Sequence, residues 1–194
     1  MSPHLDAHPN GLLVQSVLRE LKDGADVFAI SWDSGQDEVR ARIDARAQAH
    51  LDLGGRSDAS ALDAIQALDL DVLIDLGGFT NGQRMALLAA RPARRVVHWL
   101  GSPGSMSRLV DARVSTPEWN PAEQDAYFEE PVLRYEGPLV AVDELPDVPA
   151  ELSAPPEGAP CFVNLSDGYR ITRRTFACWM DVLRRRSGAS LWLA

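Results

Sequence analysis

The sequence predicts an α/β fold built on a parallel sheet, and three observations carry that prediction. Short apolar stretches rich in β-branched residues recur between stretches with helical spacing, the order expected of βαβ units. Residues 71–76 form a nearly uninterrupted apolar run, the pattern of a strand covered on both faces. The run Val96-Val97-His98-Trp99-Leu100 then stops abruptly at Gly101-Ser102-Pro103-Gly104-Ser105. Pro103 fixes φ, while Gly101 and Gly104 permit angles that other residues avoid, so this strand delivers the chain into a tight turn. In open parallel sheets, ligands bind beyond the carboxyl ends of the strands, where such turns lie. An ordinary turn after a core strand is the plainer reading of the same residues.

Taken in order, residues 1–10 carry no strand and end in a polar turn, where Asn10 is expected to cap the first helix. That helix places Leu13, Val14, Val17, Leu18 and Leu21 on one face and ends at Gly24. A strand over 26–32 is apolar at Val27, Phe28 and Ile30; a more charged helix over 38–47 leads to a short strand over 50–53. Ser57 or Asp58 caps the third helix, with Ala61, Leu62, Ile65 and Leu68 inward. After the 71–76 strand and Gly77-Gly78 come a helix over 83–90, stopped before Pro92, and the strand over 95–100. A strand over 111–115, a helix over 121–128 and a strand over 131–135 follow. Between 137 and 160 the chain carries Pro138, Pro146, Pro149, Pro155, Pro156 and Pro160 without periodicity, which reads as a linker. Beyond it lie a strand over 161–165, a helix over 172–185 with Phe176, Trp179, Met180 and Leu183 inward, and a strand over 190–193. The expected organisation is therefore a first lobe over 1–136 lacking its first strand, a linker over 137–160, and the truncated start of a second lobe over 161–194.

A net charge of −9 and a pI near 4.9 exclude the basic footprint of a nucleic-acid binder. Lys22 is the only lysine, so positive charge is carried by arginine. No signal peptide or bilayer-length apolar run is present, which makes a cytoplasmic chain the expectation. Cys161 and Cys178 lack metal spacing and are expected in the core. Asp69, Asp71 and Asp75 lie around one strand in alternating directions, so no metal site is expected. A dinucleotide-binding oxidoreductase fails for want of a Gly-x-Gly-x-x-Gly turn after the first strand.

Residues 71–107, DVLIDLGGFTNGQRMALLAARPARRVVHWLGSPGSMS, contain three blocks in fixed order: Asp75 to Thr80, Arg91-Pro92-Ala93, and Trp99 to Ser105. Together with His8-Pro9, Gln15-Ser16, Tyr169-Arg170-Ile171, Trp179 and Leu191-Trp192-Leu193, they make the chain resemble the catalytic region of the O-GlcNAc transferases and SPINDLY-like proteins, glycosyltransferase family 41. The resemblance implies two Rossmann-like lobes of GT-B type, the second holding most of the donor, and in most members tetratricopeptide repeats upstream. It implies an inverting transfer of sugar from UDP-GlcNAc or GDP-fucose to protein Ser or Thr, with the nucleotide-sugar as substrate and no separate cofactor. A chain ending after one βαβ unit of the second lobe is expected to be inactive alone. The alternative is a degenerate remnant that binds a protein partner, or a nucleotide weakly.

By the same resemblance His8 lies in the active site as a catalytic or substrate-positioning group. The family's aspartate four residues earlier is replaced by His4, with Asp6 nearby but out of register. Leu100, Gly101 and Pro103 would line the sugar pocket, with Gly104 and Ser105 shaping the turn, the glycine being required because a side chain would project into the cleft. Trp99 and His98 are expected to be core residues. In the second lobe Asp167 and Arg170 stand where the family has a Gln and a diphosphate-binding Lys. Arginine still neutralises phosphate, but through a planar fork, and a carboxylate beside a diphosphate is repulsive. Arg173, Arg174, Arg184, Arg185 and Arg186 are expected on a solvated helix face.

Overall fold

Helix and strand alternate from α1 (Pro9–Leu21) through β4 (Arg95–His98), as the spacing predicts. The computed structural model of the chain describes residues 1–21, 24–101, 104–140 and 158–193, which fall into two units, Met1–Asp147 and Val148–Ala194. The first unit contains α1 (Pro9–Leu21), β1 (Phe28–Ser31), α2 (Glu38–Arg46), β2 (Ala49–Asp52), α3 (Asp58–Gln66), β3 (Val72–Asp75), α4 (Met85–Ala89), β4 (Arg95–His98), β5 (Ala112–Ser115) and β6 (Val132–Arg134). All its strand pairs are parallel: β1 with β2, and β3-β4-β5-β6 as a four-stranded sheet in which Val72 faces Arg95 and Asp75 faces His98. Of the predicted linker, residues 141–157 lie outside the described residues.

Helix starts follow local chemistry. Asp37 caps α2 by accepting from Arg40 N, and Ser57 caps α3 by accepting from Ser60 N. α1 opens two residues earlier than expected, with Pro9 as its first residue, because a proline lacks the N–H that a first-turn residue leaves unpaired. Asn10 therefore lies inside the helix, and its Nδ2 donates to Ser2 Oγ (3.0 Å) and Leu76 O (3.1 Å) instead of capping. Residues 121–128 are also corrected: Ala122–Tyr127 form a 3₁₀ helix, closed by bonds such as Gln124 N to Pro121 O, too short and polar to settle into α geometry.

Alternation along the strands sends side chains to two apolar layers. On one face Ile30, Leu53, Leu73, Leu87, Leu88, Val96 and Met106 pack with Ala61 and Ile65 of α3; on the other Ala29, Leu76 and Trp99 pack with Val14 and Leu18 of α1 and Ile43 of α2. Trp99 is buried, as expected of a core residue. The expectation that 71–76 is covered on both faces does not hold. Leu73 and Asp75 are buried, but Val72 is 50% and Ile74 39% exposed.

The first three residues join the two sheets through the main chain. Ser2 N donates to Ile30 O (3.1 Å) and Asp33 N to Pro3 O (3.0 Å), while Met1 N donates to Ile74 O (2.6 Å) and Leu76 N to Met1 O (2.9 Å).

The second unit contains β7 (Cys161–Asn164), α5 (Arg173–Arg185, capped by Thr172) and β8 (Ser190–Leu193), with β7 and β8 parallel. None of the described residues in these elements is buried. Cys161 and Cys178 are exposed, contrary to expectation, and Phe176 is 43% exposed. Two strands and one helix cannot cover both sheet faces, so apolar side chains remain open. Trp179, Met180 and Leu183 are half-buried, and the five arginines at the ends of α5 lie in solvent as expected. No helix among the described residues is long and apolar enough to cross a membrane.

Candidate active site

The carboxyl end of β3 is organised by a buried aspartate. Asp75 is fully buried and accepts from Gly77 N (3.2 Å) and Gly78 N (2.9 Å), which turns the chain sharply after the strand, as an Asx turn does. Gln83 Nε2 donates to the same carboxylate, and His98 Nδ1 lies 3.0 Å from Asp75 Oδ2 across the β3–β4 register. His98, 1% exposed, is thus a satisfied core histidine that ties β4 to β3.

This turn brings Gly77 against the end of β4. A Cβ on Gly101 would stand 2.6 Å from Leu76 O and closer still to the Gly77 carbonyl. The glycine is required because the two turns touch, a different reason from the expected protrusion into a cleft. The left-handed residue of the turn is also not a glycine: Leu100 has φ 77°, and Gly101 lies outside that region. Such a φ is costly for a branched side chain and persists where the surroundings impose it.

Leu100 and Gly101 line a cavity of about 760 Å³ with Pro9, Asn10 and Leu13 of α1, and with Thr116, Glu118 and Trp119 from the loop after β5. Residues 137–140 complete the lining. The walls are mainly apolar, Trp119 is 61% exposed, and Glu118 is the only ionisable side chain among these lining residues. The volume suits a small-molecule site. Three of the contributing segments are turns after parallel strands or the start of a helix, the places where main-chain groups are free to meet a ligand.

His8 stands immediately before α1, next to the cavity-lining Pro9 and Asn10. Its Nδ1 accepts from Asn10 N (3.2 Å), so the imidazole caps the helix, and the tautomer this bond selects carries its proton at Nε2. The His4 ring lies 4.8 Å away, itself held by Asp33 O at 3.0 Å from Nδ1. Desolvation, then the neighbouring His4, lower the pKa of His8 below the usual imidazole value, against the pull of Asp6.

The remaining turn residues have another role. Ser105 Oγ donates to Glu130 Oε2 (2.6 Å), Met106 N to Glu130 Oε1 (2.9 Å) and Ser107 N to Glu130 Oε2 (3.1 Å). Arg113, 5% exposed at its side chain, lies 3.9 Å from Glu130 and donates to Gly104 O (3.2 Å). Ser105 thus anchors the loop inward, and neither it nor Gly104 lines the cavity. Pro103 lies outside the described residues. Burial pushes the Glu130 carboxyl up, yet the bonds from Ser105, Met106 and Ser107 outweigh it and hold the pKa below the usual value.

In the second unit, Asp167 precedes a 3₁₀ turn (Gly168–Arg170) and its carbonyl accepts from Arg170 N (3.0 Å). The Arg170 guanidinium lies over Tyr169, 5.3 Å from the ring centroid, with Nε donating to Tyr169 Oη (3.0 Å). Asp167, Tyr169 and Arg170 are all exposed. Sequence reasoning missed Thr116, Glu118, Trp119 and Glu130. The first three had a usable signal, a Thr-Pro-Glu-Trp segment directly after a strand of a parallel sheet.

Comparison with known proteins places these observations. The model of the family described as glycosyl transferase family 41 matches residues 1–135. A probable UDP-N-acetylglucosamine–peptide N-acetylglucosaminyltransferase SEC from Arabidopsis thaliana is 25% identical over 199 residues, covering 96% of this chain and 20% of its own length. The solved structure of a Thermobaculum terrenum O-GlcNAc transferase mutant aligns with a TM-score of 0.89 at 25% identity, covering 99% of this chain and 37% of that one. The chain thus spans about a fifth of the length of its curated relative.

Proposed function

From the premise that the chain belongs to glycosyl transferase family 41, we propose that it supplies one wall of a protein O-glycosyltransferase site. The site moves a sugar from a nucleotide diphosphate, UDP-GlcNAc or GDP-fucose, to a Ser or Thr hydroxyl of an acceptor protein, with inversion at the anomeric carbon. The observation that carries this reading is the cavity shared by the start of α1 after His8 and the Leu100-Gly101 turn.

Inverting transfer needs a held sugar, a neutralised leaving diphosphate and a route for the acceptor proton. In this reading the apolar wall of Leu13, Leu100 and Leu139 excludes water from the sugar, and exposed Trp119 offers it a flat face. His8, with Nδ1 engaged by the helix, positions an oxygen through its Nε2–H, and Glu118 is the cavity's own proton acceptor. The resemblance gives Arg170 of the second unit the diphosphate-binding role, for which the permanent charge of its guanidinium suits it. The chain alone is inactive here, because transfer needs donor and acceptor held in one geometry, and an ångström of misplacement costs about a hundredfold.

The test is a graft. Residues 1–135 replace the corresponding segment of a full-length family member, and transfer from radiolabelled donor to a Ser/Thr-rich peptide is followed beside the isolated chain. Transfer by the graft, reduced by His8→Ala, with none from the chain alone, is the expected result. Transfer by the isolated chain that disappears in His8→Ala overturns the claim of inactivity. A folded graft without transfer favours the silent remnant, the reading to which Asp167 and the Tyr169-engaged Arg170 lend weight.

A further inference from the structure

The turn that carries His8 is wired to residues 32–37, the loop between β1 and α2. Asp6 Oδ1 accepts from His8 N (3.2 Å) and Asp6 Oδ2 from Gly35 N (2.6 Å), so a single carboxylate joins the backbone of the histidine to that loop. Bonds on either side keep the two segments in register. Leu5 N donates to Ser34 Oγ (2.7 Å), and Ala7 N donates to Asp37 Oδ2 (2.7 Å), whose other oxygen caps α2. The main chain of Asp6 is placed as firmly as its side chain. A Cβ on Gly11 would stand 2.8 Å from Asp6 N and closer still to Asp6 O, so the turn lies directly on the opening of α1, the same opening that His8 Nδ1 caps. Both Asp6 oxygens face main-chain N–H groups, which is the engagement of a group that holds a turn.

We propose that Asp6 is the positioning residue of His8: its carboxylate locks the turn so that Nδ1 accepts from Asn10 N while Nε2–H is left for a substrate beside the cavity of Leu100 and Gly101. The use made of His8 rests on the glycosyltransferase reading; the geometry that holds it does not. Charge works with the hydrogen bonds. Desolvation and the His4 ring, 4.8 Å away, lower the pKa of His8, and Asp6 raises it. Negative charge thus reaches the imidazole from two residues away, while position 4 carries a second imidazole. The other charged groups facing this segment are engaged elsewhere: Asp33 lies 4.0 Å from His4 Nε2, and Asp37 is bonded to Ala7 N and Arg40 N. Glu118 belongs to the adjoining cavity.

The test reads His8 by NMR in the intact chain, following its pH titration and the ¹⁵N shifts of its ring, which report the tautomer. Asp6→Asn removes the charge but keeps an oxygen for His8 N, and is expected to titrate at lower pH than the parent. Asp6→Ala removes both bonds and is expected to lose the single Nε2–H tautomer. A merely structural role moves the titration of Asp6→Asn the other way, because a loosened turn returns the ring to water and relieves desolvation, the largest cause of its lowered pKa. Titration of Asp6→Asn at or above the parent's pH, or an unchanged tautomer in Asp6→Ala, overturns the proposal. In the graft, Asp6→Ala is expected to lower kcat at least about tenfold with the donor KM within about twofold, and an equal kcat also overturns it. A parent graft without transfer, beside the expected NMR result, tells against the glycosyltransferase reading and leaves Asp6 as the residue that orients His8.

Discussion

His8 bonds to the helix through Nδ1, and in the proposed reading its Nε2–H is the donor to a substrate. His8→Ala removes the cap and is expected to cost about 1 kcal/mol in urea unfolding, whereas His8→Asn, a strong cap residue, is expected to be near neutral. Both variants lose the Nε2 donor, so stability and any transfer in the graft separate the roles. Gly101→Ala is expected to destabilise by about 1 to 3 kcal/mol in the same measurement, since its Cβ meets the Leu76 and Gly77 backbone rather than a flexible side chain. For Glu130 the sign follows from its lowered folded pKa: the contribution is present above the unfolded value of about 4.3 and is lost as pH falls through the lower folded value. Glu130→Gln is therefore expected to unfold at neutral pH more readily than the parent and to show a smaller loss between about pH 5 and 3, checked by acid titration of the melting temperature. Gly101 was legible in sequence as a residue that must be glycine, because a strand breaking into Gly-x-Pro-Gly announces a tight approach. What it approaches was not legible, nor was the Ser105–Glu130 bond, whose partners are 25 residues apart.

At the scale of elements, helical spacing located every α-helix, and short apolar runs located every strand, to within a residue or three. Spacing could not tell that Ala122–Tyr127 would close as 3₁₀, since six residues after a proline, none of them buried, carry no packing face to choose between the two geometries. Nor could it show that Val72 and Ile74 of β3 are exposed, because an apolar run looks the same whether or not another element covers it. The loop after β5 went unread for a related reason: Thr116, Glu118 and Trp119 become a site only when β5 is known to stand beside β4. On the other side of β4, Asp75 and His98 tie the neighbouring ends of β3 and β4. Asp75→Ala strands the Gly77 and Gly78 amides, Gln83 and His98 in a buried place, and is expected to cost at least about 3 kcal/mol in denaturant unfolding.

At the scale of the molecule, the two units differ in how much they bury. The first has two apolar layers around its strands, while the second, with its exposed cysteines and Phe176, has no buried residue in its described elements. Amides of β7 and β8 are therefore expected to exchange at least about a hundredfold faster than those of Leu73 and Val96, measured by mass spectrometry on the intact chain. That imbalance was partly legible, because a single βαβ unit has too little surface to bury. The central claim is that the first unit carries a substrate-binding wall at the start of α1 and the ends of β4 and β5. The most direct measurement titrates ¹⁵N-labelled chain with UDP-GlcNAc, and in parallel with GDP-fucose, to roughly 10 mM, weak binding of this order matching about 3 to 4 kcal/mol. Saturable shifts at Asn10, Gly101, Thr116 and the Trp119 indole with at least one donor, and none at Leu73 or Val96, are the predicted result. Shifts absent from those four with both donors, or confined to residues outside the cavity, would contradict it.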